Sequence, residues 1–279
     1  MCPTDVPLFI VYSYSSVIIL GLIVAISILL KNKEHSVNRN AFYFMLAIVL
    51  WTLGDLVQWE TTSPLVSYVL SRLSYLADFI FLFILYFAYD FAGNKLTWKN
   101  KLIFALPLFL TILAVVGGFG VGTYDPNACV TDVGWYIFPS LILNVGYAIW
   151  ASVILLKGYR NTLVQYNNKS QIRLLIFTIM FSVLWGVAYE TVDVLSVVTD
   201  IDIEISPYFI LGNLIFIVLI AFNIIEYDLF DFGVLPRKWF SFAIVSLIFM
   251  GMFFLALTPV FHFISFMFYV GIVWLFWGK

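Results

Sequence analysis

The chain has 279 residues, of which 63% are apolar and 11% charged, with a net charge of −2. Globular chains average about 45–50% apolar residues, glycine included, and about 25% charged ones, so a water-soluble core of this length could not hide so much apolar surface. The composition excludes a disordered chain, a nucleic-acid binder and a disulfide-rich secreted scaffold, and it leaves lipid as the solvent for most of the chain.

Apolar runs of about 18 or more residues, bounded by charge, Pro or Asn, mark membrane helices. Nine occur, at 7–30, 41–59, 64–91, 102–122, 134–156, 172–198, 207–226, 239–257 and 260–277. The last two are joined only by Thr258 and Pro259. The predicted fold is therefore an all-α polytopic integral membrane helical bundle of about nine transmembrane helices. Two regions are expected, a seven-helix membrane domain over 1–238 and an additional two-helix transmembrane hairpin over 239–279. The first span is not read as a signal peptide, because Met1-Cys2-Pro3-Thr4-Asp5 lacks the positive charge that precedes one.

Basic residues set the expected orientation. Lys31, Lys33 and Arg39 fall in the first loop, Lys95, Lys99 and Lys101 in the third, and Lys157, Arg160, Lys169 and Arg173 around the fifth. Arg237 and Lys238 follow span 7, and Lys279 is the tail. The intervening loops hold Asp5, Glu60, Asp125, Asp132, Asp200, Asp202 and Glu204 and no Lys or Arg. This segregation predicts an N-terminus outside and a C-terminus in the cytoplasm. Trp51, Trp59, Trp98, Trp135, Trp239 and Trp277 are expected in interfacial belts.

Deep in the spans lie Asp55, Arg72, Asp78, Glu190 and Asp193. A charge at the centre of a membrane helix costs about 2.5–3.5 kcal/mol on insertion scales, so each should have a partner or water. Asp55, Arg72, Glu190 and Asp193 fall in the outer half and suggest an outward-facing polar or ligand-binding pocket between spans 2, 3 and 6. The competing reading is an ion-pair network that pins the helices. Arg72 is the one cation at that level and is expected to pair with one of the three acids. Asp78, near mid-span, reads as a proton site or as an interhelical hydrogen-bond partner of Asn144 or Asn213. Cys2 and Cys129 both fall on the outer side, where a disulfide is permitted.

His35 and His262 are too few for multi-ligand haem or metal relays, and no metal site is expected. No span contains Lys, so a retinal-type Schiff base has no amine. There is no phosphate-binding loop, HExxH, CxxC or GxSxG. An enzyme is not expected.

Several features stand in a set order. Span 2 carries Trp51. Span 3 ends in Phe83-Ile84-Leu85-Tyr86-Phe87-Ala88-Tyr89 and is followed by Gly93-Asn94-Lys95. Lys169-Ser170-Gln171-Ile172-Arg173-Leu174-Leu175 precedes span 6, and Ile205-Ser206-Pro207 opens span 7. That span closes with Glu226-Tyr227-Asp228-Leu229-Phe230-Asp231-Phe232 and then Leu235-Pro236-Arg237. Over roughly residues 8–238 this resembles the N-terminal seven-helix sensor region of membrane histidine kinases. The resemblance implies a multi-pass protein of a prokaryotic plasma (inner) membrane, whose last helix leads into cytoplasmic signalling parts. Nothing resembles the phosphoacceptor-histidine or ATP-binding boxes, so the expectation is a sensor module without its own output, or a sequence shorter than its gene product.

The leading functional expectation is a sensor or receptor-like module that responds to a ligand or membrane state on its outer side. The expected partners are the lipid bilayer and other membrane or cytoplasmic protein subunits, with no nucleic acid. A non-catalytic accessory subunit of a larger membrane complex is the alternative. A proton- or cation-coupled transporter using Asp78 is the third, weakened by the absence of an internal repeat.

Overall fold

In lipid the backbone must satisfy its own hydrogen bonds, so apolar runs of this length fold as helices. The computed structural model of the chain describes residues 6–31, 33–94, 96–125, 130–165, 169–199 and 206–227. Spans 8 and 9, the segment 228–238, Cys2 and Cys129 lie outside the described residues.

Each of the first seven predicted spans is helical. Helix α1 covers Leu8–Lys31 and α2 covers Ser36–Glu60. Span 3 consists of α3 (Pro64–Leu73), a 3-10 turn at Ser74–Ala77, and α4 (Asp78–Phe91). Span 4 is likewise divided into α5 (Trp98–Ala105), a 3-10 turn at Leu106–Leu108, and α6 (Phe109–Gly117). Helices α7 (Ile137–Gln165), α8 (Lys169–Thr199) and α9 (Ser206–Tyr227) complete the set. Among the described residues six helices are long and apolar enough to cross a membrane, and α9 adds a shorter apolar stretch at Phe209–Ala221.

Both breaks have local causes. Pro107 has no N–H and its ring displaces the carbonyl one turn earlier, which splits span 4. In span 3 the Ser71 hydroxyl donates to the Ser67 carbonyl at 2.9 Å and the Ser74 hydroxyl to the Ser71 carbonyl at 2.8 Å. Such back-bonding competes with the helical ladder and bends helices.

The run read as span 4 stops short of residue 122. Gly118, at φ 76°, takes the left-handed conformation that ends α6. Beyond it, strands β1 (Val121–Asp125) and β2 (Val130–Val133) form an antiparallel hairpin that pairs Val121 with Val133 and Tyr124 with Thr131. The hairpin, the α2–α3 turn and the start of α1 share one end of the bundle, here the hairpin end. The loop at Lys33–His35 and the start of α5 share the other, basic end.

Neighbouring helices close a ring in the order α1, α2, α4, α7, α8, α9 and back to α1, with α5 and α6 packed outside α3 and α4. Phe44, Phe87 and Phe216 plug the ring, their centroids 6.0 Å (Phe44–Phe87) and 5.6 Å (Phe44–Phe216) apart. Leu102, Ile103, Leu106, Phe109, Leu110 and Val116 are exposed and give span 4 an apolar outer face suited to lipid. Burial on α2 and α8 stops short of the hairpin end, although Tyr14 of α1 and Tyr136 before α7 are buried there. The last buried side chain of α2 is Thr52, and that of α8, among the described residues, is Val183.

Gly21 sets the approach of α1. A Cβ there would lie 2.5 Å from Val49 Cγ2 and 3.3 Å from Ile217 Cδ1. Gly21→Val is expected to force α1 off both neighbours and cost about 1–3 kcal/mol, read as a lower thermal midpoint in nanodiscs.

Candidate functional site

A carboxyl group at mid-membrane must find donors in the protein, because lipid offers none. Asp78, the first residue of α4, is 2% exposed and has four polar side chains within hydrogen-bonding distance. The Ser140 hydroxyl and the Asn144 side-chain N–H both donate to its Oδ1 at 2.7 Å. The Thr111 hydroxyl donates to its Oδ2 at 2.8 Å, with the Tyr136 hydroxyl 3.2 Å away. Thr111 and Tyr136 are themselves 2.6 Å apart. A threonine hydroxyl has one proton. With that proton on Asp78, Tyr136 donates to Thr111, and the protons run in series from Tyr136 through Thr111 to Asp78.

Asn144 is fully buried and has two N–H groups on Nδ2. One reaches Asp78 on α4, and the other reaches Glu190 Oε1 on α8 at 2.5 Å. A single carboxamide on α7 therefore links acids of two other helices. Its own Oδ1, also buried, has no hydrogen-bond partner among the described residues.

The structure thus brings Asp78 and Glu190 together, and the bond to Asp78 comes from Asn144, not from Asn213. The remaining expected site residues lie elsewhere. Asp55 accepts from the Tyr14 hydroxyl of α1 at 2.6 Å. Among the described residues Arg72 does not pair with an acid. Its Nε and Nη2 donate to the Val115 carbonyl at 2.8 and 2.5 Å, and Nη2 also donates to that of Val116. These carbonyls belong to the last turn of α6, which has no intrahelical donors and carries the negative end of the helix dipole, so it competes successfully for the cation. The guanidinium also stands over the Tyr68 ring, 5.6 Å from its centroid. The side chain of Asp193 and the pairing of Cys2 with Cys129 lie outside the described residues. Trp51 is turned toward Tyr189, 5.8 Å between centroids.

Sequence reasoning missed Thr111, Tyr136, Ser140 and Tyr14. A signal existed for two of them. Tyr136, Ser140 and Asn144 recur at i, i+4 and i+8 and form one polar stripe on an otherwise apolar helix. Thr111 and Tyr14 stand singly in apolar runs and carry no such mark.

No group of three or more His, Cys, Asp or Glu able to hold a metal occurs among the described residues. The arrangement holds protons and hydrogen bonds between helices. It defines a polytopic helical membrane protein whose spans are joined by a buried polar network. The family model for the N-terminal 7TM region of histidine kinase matches residues 13–233, and the chain belongs to that family, a family of membrane sensor modules. No curated protein and no solved structure matches the chain.

Replacing Asn144 removes a donor from both Asp78 and Glu190 and cuts the link between their helices, whereas replacing Thr111 removes a donor from Asp78 alone. Asn144→Leu is expected to destabilise the protein by about 1–3 kcal/mol. Thr111→Val should cost about 0.6 kcal/mol, the average for an interhelical hydrogen bond in a membrane. Denaturant unfolding in mixed micelles measures both.

Proposed function

We propose that this chain is the input module of a histidine-kinase signalling system in a prokaryotic plasma membrane, with the hairpin end outside and the basic end in the cytoplasm. The segregation of Lys and Arg supports that orientation. The stimulus acts at the hairpin half, where Asp55, Arg72, Glu190 and Asp193 stand at similar depth. The segment from Glu226 to Arg237 carries the response toward a histidine kinase, in the same polypeptide or in a partner.

The observation that carries this reading is the Asn144 carboxamide shared between Asp78 and Glu190. Hydrogen bonds have discrete partners, so a shared donor set has discrete arrangements, as a switching element requires. Pulling Glu190 away from Asn144 moves α8 relative to α7 and α4. Helix α9 packs on α8 and ends at the basic side, so it moves with it. The link lies toward the stimulus end and the response emerges at the other.

In native membranes carrying the full gene product and its kinase, Asn144→Leu is expected to change basal phosphohistidine by at least about fivefold, the low end of typical allosteric coupling. An unchanged level, with wild-type amounts of correctly inserted protein, would overturn the proposal.

A further inference from the structure

Trp51, Asp55 and Trp59 recur at i, i+4 and i+8 and share one face of α2, while Leu50, Leu53 and Val57 are exposed on the other. The inner face meets aromatic side chains from three helices. The Tyr14 hydroxyl of α1 donates to Asp55, and the Trp59 side chain is within hydrogen-bonding reach of that hydroxyl. The Trp51 ring stands at 72° to that of Tyr189 on α8, and Tyr189 at 70° to Phe209 on α9, with centroids 5.8 and 5.0 Å apart. Three rings at near right angles form a corner that starts one helical turn from Asp55 on the same face of α2. Trp51, Asp55, Tyr189 and Phe209 are all only half-buried. They lie on the hairpin side of the Phe44, Phe87 and Phe216 plug.

We propose that this corner binds an organic ammonium ion, with its charge on Asp55 and its alkyl groups against Trp51, Tyr189 and Phe209. The proposal names a ligand class for the stimulus site and rests on the reading that the hairpin end faces outward. Asp55 lies about 8 Å inside the end of α2 at 1.5 Å per residue, a depth where an acid needs a counter-charge. Among the described residues it has only the Tyr14 hydroxyl, because Arg72 is held by the carbonyls of α6. An inorganic cation fits poorly. Calcium takes about 6–8 oxygen ligands, and this corner offers one carboxylate and one phenol among aromatic faces. Those faces attract a cation whose charge is spread over alkyl groups, since an aromatic face is negative and an alkylammonium is weakly hydrated.

The test uses the full gene product in nanodiscs, titrated with tetramethylammonium, choline and benzyltrimethylammonium chlorides against sodium chloride at equal ionic strength. Tryptophan fluorescence is the readout. At least one of the three is expected to give a saturable change that sodium does not. Asp55→Asn should weaken it by roughly tenfold or more. Trp51→Leu should weaken it roughly fivefold, and Trp51→Phe, which keeps an aromatic face, much less. Glu60→Gln, an exposed acid at the end of the same helix, should leave it unchanged. The pair of Trp51 variants keeps the test decisive should Asp55→Asn fail to fold. No saturable response to any of the three salts, an equal response to sodium, or full retention in Asp55→Asn would each overturn the proposal. Phosphohistidine measured alongside separates the two readings. Ammonium binding with no change in phosphohistidine would support this site and count against the sensor function. A phosphohistidine response to Asn144→Leu without ammonium binding would retain the sensor and remove this site.

Discussion

A carboxamide offers two N–H groups, and in this bundle both are taken by acids of different helices. The packing of spans 3, 5 and 6 depends on that constraint. In water Asp78 and Glu190 would each be solvated separately. At membrane depth they draw on whatever donors the helices bring, and Asn144 is the donor they share. Thr111, Tyr136 and Ser140 then complete the shell of Asp78, which draws span 4 and the start of α7 into the same assembly. The 3-10 turn at Ser74–Ala77 ends where Asp78 begins, so the helix departs from regular geometry beside its most demanding side chain. Mid-helix 3-10 segments often mark hinges.

A second constraint acts around Arg72. The cation, expected to pair with an acid, is held by the carbonyls that end α6. The Tyr75 hydroxyl donates to the Gly120 carbonyl at 2.7 Å, and that of Tyr124 to the Pro64 carbonyl at 2.5 Å. Together these bonds fasten α3, the end of α6 and the β-hairpin to one another. Asp55 is bonded to Tyr14 and Glu190 to Asn144, so the hairpin half has a fastened side at spans 3 and 4 and an acidic, aromatic side at α1, α2, α8 and α9.

The helices and their approximate ends were legible because lipid demands long apolar runs and tolerates few exceptions. The mid-span acids were legible for the same reason, as each is an exception. Their partners were less so. The acceptors that hold Arg72 are backbone carbonyls, which every residue has and no sequence pattern marks. Tyr14 and Thr111 are polar only at one atom and pass unnoticed in apolar runs. The break at Ser74–Ala77 depends on which way two serine hydroxyls turn, and the hairpin at Val121–Val133 on a pairing too short to show alternation. The Tyr136, Ser140 and Asn144 stripe was readable by helical period, and Asp78 is where it leads. Family membership adds a class of function that no catalytic motif in the chain would have suggested.

The central claim is that Asn144 couples Asp78 to Glu190. A double-mutant cycle on unfolding free energy, with Asp78→Asn and Glu190→Gln made singly and together, measures that coupling. A coupling above about 0.5 kcal/mol is expected in the native background, and its loss when the same cycle is repeated with Asn144→Ala. Additive effects in the native background, or a coupling of equal size without Asn144, would contradict it.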